Sequence, residues 1–308
     1  LRKTLLPLIF IFFIPAFALP SDFTAEIFFN TSGTKGISAD IYAEIEDSAF
    51  MITALYSFSS VDTNAFSAGA SYYTPINDIF SLLGSYTFYT GSTYYSSATE
   101  TAAEEVSYPV GLISHSVSLL PSLLFDSLEI TPGASFAVDT VSYPVLNEYY
   151  TGRRADSQKN YVSYTTAAPE LSASYYFEDD LTAGISGNYV FYSINPSAVY
   201  DAAGATLNTS AEAASVDAAV SFKKYTIYAS LKKKFNPVSL ALKLSFKEYH
   251  IPEAGHYIFH SYSADVKAGY QFSEDMSVEI RPEYSFLRYS DNSTGNNLYI
   301  SLSATHKF

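Results

Sequence analysis

The sequence predicts an all-β fold, a transmembrane antiparallel up-and-down β-barrel of about 14 strands. Three observations carry that prediction. After an apolar N-terminal stretch, hydrophobic residues alternate with polar ones at period two and never again form a long unbroken run. The alternating segments sustain about 9–11 residues, the length a tilted strand needs to cross a bilayer, against about 5–6 in globular proteins. The composition is also strand-like, with 28 Tyr, 23 Phe and no Trp among 308 residues.

The N-terminus reads as an export signal. Arg2 and Lys3 form a short basic region, Leu5 to Phe17 an apolar run broken by Pro7 and Pro15, and Ala16-Phe17-Ala18 a small-x-small cleavage pattern. Cleavage is expected after Ala18, leaving residues 19–308 as a single barrel domain. The run is short and proline-broken for a helical span of about 20 residues. An N-terminal anchor is the alternative reading.

The strands follow in order. Residues 22–30 open the set. Residues 37–46 show the pattern best, with Ile37, Ala39, Ile41, Ala43 and Ile45 on one face and Ser38, Asp40, Tyr42, Glu44 and Glu46 on the other. Further strands are expected at 50–58, 65–73, 79–89, 107–119, 127–138, 161–177, 181–193, 213–234, 238–248, 257–272, 276–289 and 298–308. Within 213–234 the apolar phase slips by one near Lys223-Lys224. A bulge there explains the slip; a hairpin is the rival and would make the strand number odd.

Connections support the even number. Short turns around Asp47, Asn77, Phe125-Asp126, Glu178-Asp179-Asp180, Asn236-Pro237 and Ser273-Glu274-Asp275 alternate with longer loops. The long class comprises 90–106, 140–160 and 194–212, with 249–256 and 290–297. Short turns on one side and long loops on the other fit a membrane barrel with both termini on the periplasmic side. Closure is required because hydrocarbon leaves bare backbone groups without partners.

The last strand, Leu298 to Phe308 with its terminal Phe, resembles the ending of bacterial outer-membrane β-barrels, and the whole mature chain looks like the small porin type. His306 departs from the apolar or aromatic residue usual there. The resemblance implies location in the bacterial outer membrane, contact with its lipid and lipopolysaccharide, and recognition of Phe308 by the barrel-assembly machinery. It also implies passage of small solutes.

The net charge of −14, from 31 acids and 17 bases, argues against nucleic acid as a partner. Cysteine is absent, which removes disulfides, thiolate nucleophiles and cysteine metal sites. No cofactor is expected. Twelve charged residues fall on the polar strand faces and are expected to line the lumen. They are Glu26, Asp40, Glu44, Glu129, Asp139 and Glu170 from the first half, and Lys243, Asp265, Lys267, Glu279, Arg281 and Glu283 from the second. Tyr72-Tyr73, Tyr94-Tyr95, Tyr149-Tyr150, Tyr175-Tyr176 and Tyr189 read as interfacial girdles, or as sugar-stacking rings at the mouth. Arg153-Arg154 and Lys159 could meet lipopolysaccharide phosphates, or form a hydrated loop.

Catalytic and metal motifs are missing. His256 and His260 share a strand face, but no carboxylate spacing completes a metal site. His115 lies between Ser114 and Ser116, and neighbours in a strand point to opposite faces, so no Ser–His pair forms. An enzyme is therefore not expected. The expected function is a porin-like channel for ions and small hydrophilic solutes, cation-preferring through its acidic excess. A barrel with a filled lumen (structural, adhesive or lipid-modifying) and a transporter of hydrophobic molecules without a plug remain open.

Overall fold

The computed structural model describes residues 22–31, 33–45, 47–59, 64–97, 106–144, 159–194, 222–250 and 258–308. The expected signal and cleavage site, the centres of the three longest loops, residues 213–221 of one expected strand and His256 lie outside them. Among the described residues every regular element is a strand. In chain order these are β1 (Asp22–Asn30), β2 (Thr34–Ile45), β3 (Ser48–Ser59), β4 (Asn64–Pro75), β5 (Phe80–Ser97), β6 (Val106–Phe125), β7 (Leu128–Pro144) and β8 (Lys159–Phe177). They continue with β9 (Leu181–Tyr189, resumed at Phe191–Tyr192), β10 (Lys223–Phe235), β11 (Val238–Tyr249), β12 (Ile258–Gln271), β13 (Met276–Tyr289) and β14 (Thr294–Lys307).

Each strand pairs antiparallel with its sequence neighbours, and β1 pairs with β14 from Asp22↔Lys307 to Asn30↔Tyr299. The sheet is thereby a closed 14-strand barrel. Closure leaves no edge, so every wall strand finds partners on both sides.

Local chemistry builds the turns. Asp126, Asp179, Asp180 and Asn292 take positive φ, which short polar side chains tolerate. Asn77 accepts backbone bonds from Ile79 and Phe80 at 2.9 and 2.8 Å, an Asx turn joining β4 to β5. Gly33, at φ 86°, closes the β1–β2 connection.

The bulge expected near Lys223-Lys224 is present: Lys223 pairs with Tyr249 and Tyr225 with Glu248, leaving Lys224 unmatched. No hairpin intervenes, and β10 starts at Lys223 rather than earlier in the described chain. Strands β5 to β8 are longer than the alternation indicated. β5 runs to Ser97, β6 begins at Val106, β7 ends at Pro144 and β8 begins at Lys159. The Thr90 to Ser97 end of β5 has no aliphatic side chain, so no hydrophobic period marks it. Backbone pairing alone continues the strand there. β14 likewise begins at Thr294, which shortens the expected 290–297 loop to a tight turn.

Candidate functional site: the inner face of the barrel

Cross-strand partners share a face, so the register carries face assignment around the whole wall. The apolar residues Ile27, Ile37, Leu302, Phe136, Leu171, Ile185, Leu231, Leu244 and Ile280 are all exposed and fall on one side. In water such a surface would be unstable; against hydrocarbon it is the lipid-facing band. The twelve charged residues named from the sequence have the opposite parity. Glu26, for example, pairs with Ser38 and Ser303 between Ile27 and Ala25.

Many of the twelve join one polar belt. Arg281 Nε donates to both carboxylate oxygens of Asp265 at 3.0 and 2.9 Å, and its Nη2 donates at 2.6 Å. Its Nη2 also lies 3.8 Å from Glu283. The guanidinium sits 5.9 Å from the Tyr299 ring centre. The Tyr299 hydroxyl donates to Glu26 at 3.1 Å, and Ser38 donates to the other oxygen of Glu26 at 3.4 Å. On the other side of Asp265 its register partner is Lys243, whose ammonium lies 4.0 Å from the centre of the Tyr228 ring. Tyr228 and Ser186 both donate to Glu170, at 3.3 and 3.2 Å. The belt thus follows the wall from β8 through β14 and β1 to β2, held against it by hydroxyls and rings.

Lys267 and Glu279 pair at 3.2 Å within the same arc. Their side chains stay 42% and 36% exposed although they face inward, close to the strand ends at Gln271 and Met276. Asp265, by contrast, is only 6% exposed beneath Arg281. The belt therefore has a covered footing and an accessible inner edge.

The other acids are placed singly. Glu129 accepts hydrogen bonds from Ser122 and Tyr176. Asp139 is bonded by Ser114 and Asp40 by Thr53, each its cross-strand partner. One oxygen of Asp40 is buried without a partner. Glu44 accepts from Tyr42 at 3.0 Å. Uncharged hydroxyls fill much of the remaining inner wall, including Ser85···Ser118 and Ser245···Ser263, both at 2.6 Å.

Several aromatic and histidine readings are refined. Tyr72, Tyr175 and Tyr189 face outward and are exposed, as girdle residues do. Tyr73 and Tyr176 share the inner parity instead, because adjacent residues in a strand cannot face the same way. Tyr164, Tyr192, Phe222 and His250 cluster on the inner side, with ring centres 5.2–6.1 Å apart. The Tyr192 hydroxyl donates to the Lys223 carbonyl at 2.8 Å. His115 faces outward, 2.8 Å from the Tyr86 hydroxyl, and His260 lies 3.6 Å from Glu248 on the outer face. Among the described residues no group of His, Asp and Glu could hold a metal.

A closed wall, apolar outside and polar inside, defines a β-barrel of the bacterial outer-membrane type. Among solved structures the chain is similar to the CymD monoaromatic hydrocarbon channel, at TM-score 0.57 and 9% identity over 94% of this chain and 89% of that one. It is also similar to the Pseudomonas putida toluene transporter TodX, at TM-score 0.51 and 11% identity over 93% and 89% of the two chains. A Pseudomonas aeruginosa FadL homologue gives TM-score 0.50 and 12% identity over the same shares. At these identities the likeness is one of fold. The sequence matches no family model and no curated protein.

Proposed function

We infer that the protein is a channel of the bacterial outer membrane that passes ions and small hydrophilic solutes, with a preference for cations. The observation that carries this reading is the Lys267–Glu279 pair. A charged pair on the inner face that keeps over a third of its surface exposed is open to water, which supports a wet lumen on the side of the Ser273-Glu274-Asp275 turn. The acids among the twelve outnumber the bases, and a ring of carboxylates favours cations. Serine and threonine pairs on the inner wall suit hydrated solutes better than hydrocarbons, although CymD and TodX carry hydrocarbon names.

The test is single-channel recording of the folded protein in a planar bilayer. Discrete conductance steps with cation-selective reversal potentials are expected. A silent bilayer from protein whose gel migration is heat-modifiable would sink the channel reading and favour a filled barrel.

A further inference from the structure

The inner wall is sorted by sign. The six acids placed on β1, β2, β7 and β8 share that arc with no described inward lysine or arginine. On β10 and β11 the order is reversed. Past the bulge their inner faces carry Lys232, Lys234, Lys243 and Lys247, Lys223 has the same parity before it, and there is no acid at all. The parity follows from Ile227, Leu231 and Phe235 on β10, and from Leu240, Leu242 and Leu244 on β11, all exposed on the opposite side.

These four lysines form a column. Lys234 lies near the Asn236-Pro237 turn, at the barrel end that holds both termini of the wall, Asp22 and Lys307. Lys232 follows about 7 Å further along the strand. Lys232 pairs with Ala241, so Lys243 is its diagonal neighbour, about 7–8 Å away. Lys247 stands about 13 Å beyond Lys243, near the far end of β11. The first two steps are comparable to or below the screening length of about 8–10 Å in physiological salt, so the potentials of Lys234, Lys232 and Lys243 overlap, while the step to Lys247 is longer.

Among the described residues none of the four forms a salt bridge. The carboxylate best placed to neutralise Lys243 is its register partner Asp265, and Arg281 holds that group with three hydrogen bonds. Lys243 rests on the Tyr228 ring instead. Lys232, Lys234 and Lys243 are exposed although they face inward.

We propose that the inner faces of β10 and β11 form a track for anionic solutes bearing carboxylate or phosphate groups, running from one mouth of the barrel toward the other. The proposal rests on the channel reading above. The acidic arc passes cations, while an anion moves from one free ammonium to the next along the lysine column. Arg281 contributes indirectly, by holding the carboxylate that would otherwise close the column at its middle.

The experiment is bilayer recording of the full chain with potassium citrate as the probe. It compares the wild type with a variant combining Lys232→Gln, Lys234→Gln, Lys243→Gln and Lys247→Gln. The citrate current is expected to fall about tenfold in the glutamine variant, the low end of what charge-focused conduits gain in counter-ion encounter. Arginine at the same four positions should retain it. Lys35→Gln should leave it unchanged, because Lys35 faces outward between Phe29 and Phe58. Equal citrate currents in the wild type and the glutamine variant, with potassium conductance intact, would overturn the track alone. A wild type with no conductance would overturn the channel reading on which the track depends.

Discussion

At the scale of single residues, Arg281 joins stability to selectivity. Its bonds to Asp265 compensate a carboxylate that is almost fully covered. Arg281→Ala leaves that charge unpaired and should cost about 3–5 kcal/mol, read from urea-dependent unfolding in lipid vesicles. Combining Arg281→Met with Asp265→Leu should recover most of the loss, because both desolvated charges leave together. A double variant as unstable as Arg281→Ala would show that the pair does more than neutralise itself. The cationic side of the belt makes a second prediction. Alanine at Lys243, Lys267 and Arg281 together should raise the preference for cations. An unchanged reversal potential would count against their lumen-lining role.

At the scale of a strand, face assignment is the controlling property. Leu242 and Lys243 are neighbours on β11, yet one meets lipid and the other the interior. Leu242→Arg should therefore destabilise the barrel by about 2–4 kcal/mol at mid-membrane, while Lys243→Leu should cost far less. Equal costs in vesicle refolding would contradict the assignment. The β10 bulge can be tested the same way. Lys224 is the extra residue between two well-paired neighbours, so deleting it preserves the pairing of Lys223 with Tyr249 and Tyr225 with Glu248. It removes only the 2.8 Å ion pair with Glu248 and one backbone bond to Val190. Heat-modifiable migration should survive that deletion. Deleting Ile227 instead reverses every side chain on one side of the cut and should abolish it.

At the scale of the whole molecule, closure of β1 on β14 is the long-range event. The paired residues are separated by nearly the full chain, as in Thr24 with Thr305 at 2.9 Å. Phe308 lies past the last paired residue, is 77% exposed and touches the His306 ring at 4.8 Å between centres. Its deletion removes no wall pairing. It should leave refolding in vesicles intact while lowering the amount of barrel assembled in cells, if the assembly machinery reads it. Loss of refolding in vesicles would assign Phe308 a structural role instead.

The sequence by itself determined the strand faces and the short turns, and favoured an even strand number with a bulge near Lys223-Lys224 over a hairpin there. All are local: side-chain direction has period two, and turns need Asp, Asn or Gly at particular positions. It likewise put the twelve charged residues on the polar strand faces. Tyr73 and Tyr176 were misread because a Tyr-Tyr pair looks like a unit in sequence, whereas the pleat splits it. Only the tertiary structure decided which charges are partnered. Tyr299 reaches Glu26, Arg281 takes Asp265, and Lys243 is left over, because partners on separate strands are chosen by register. Register is a relation between distant segments and leaves no period in either one. The same reason hid the outer end of β5, where backbone pairing continues without an aliphatic face to announce it.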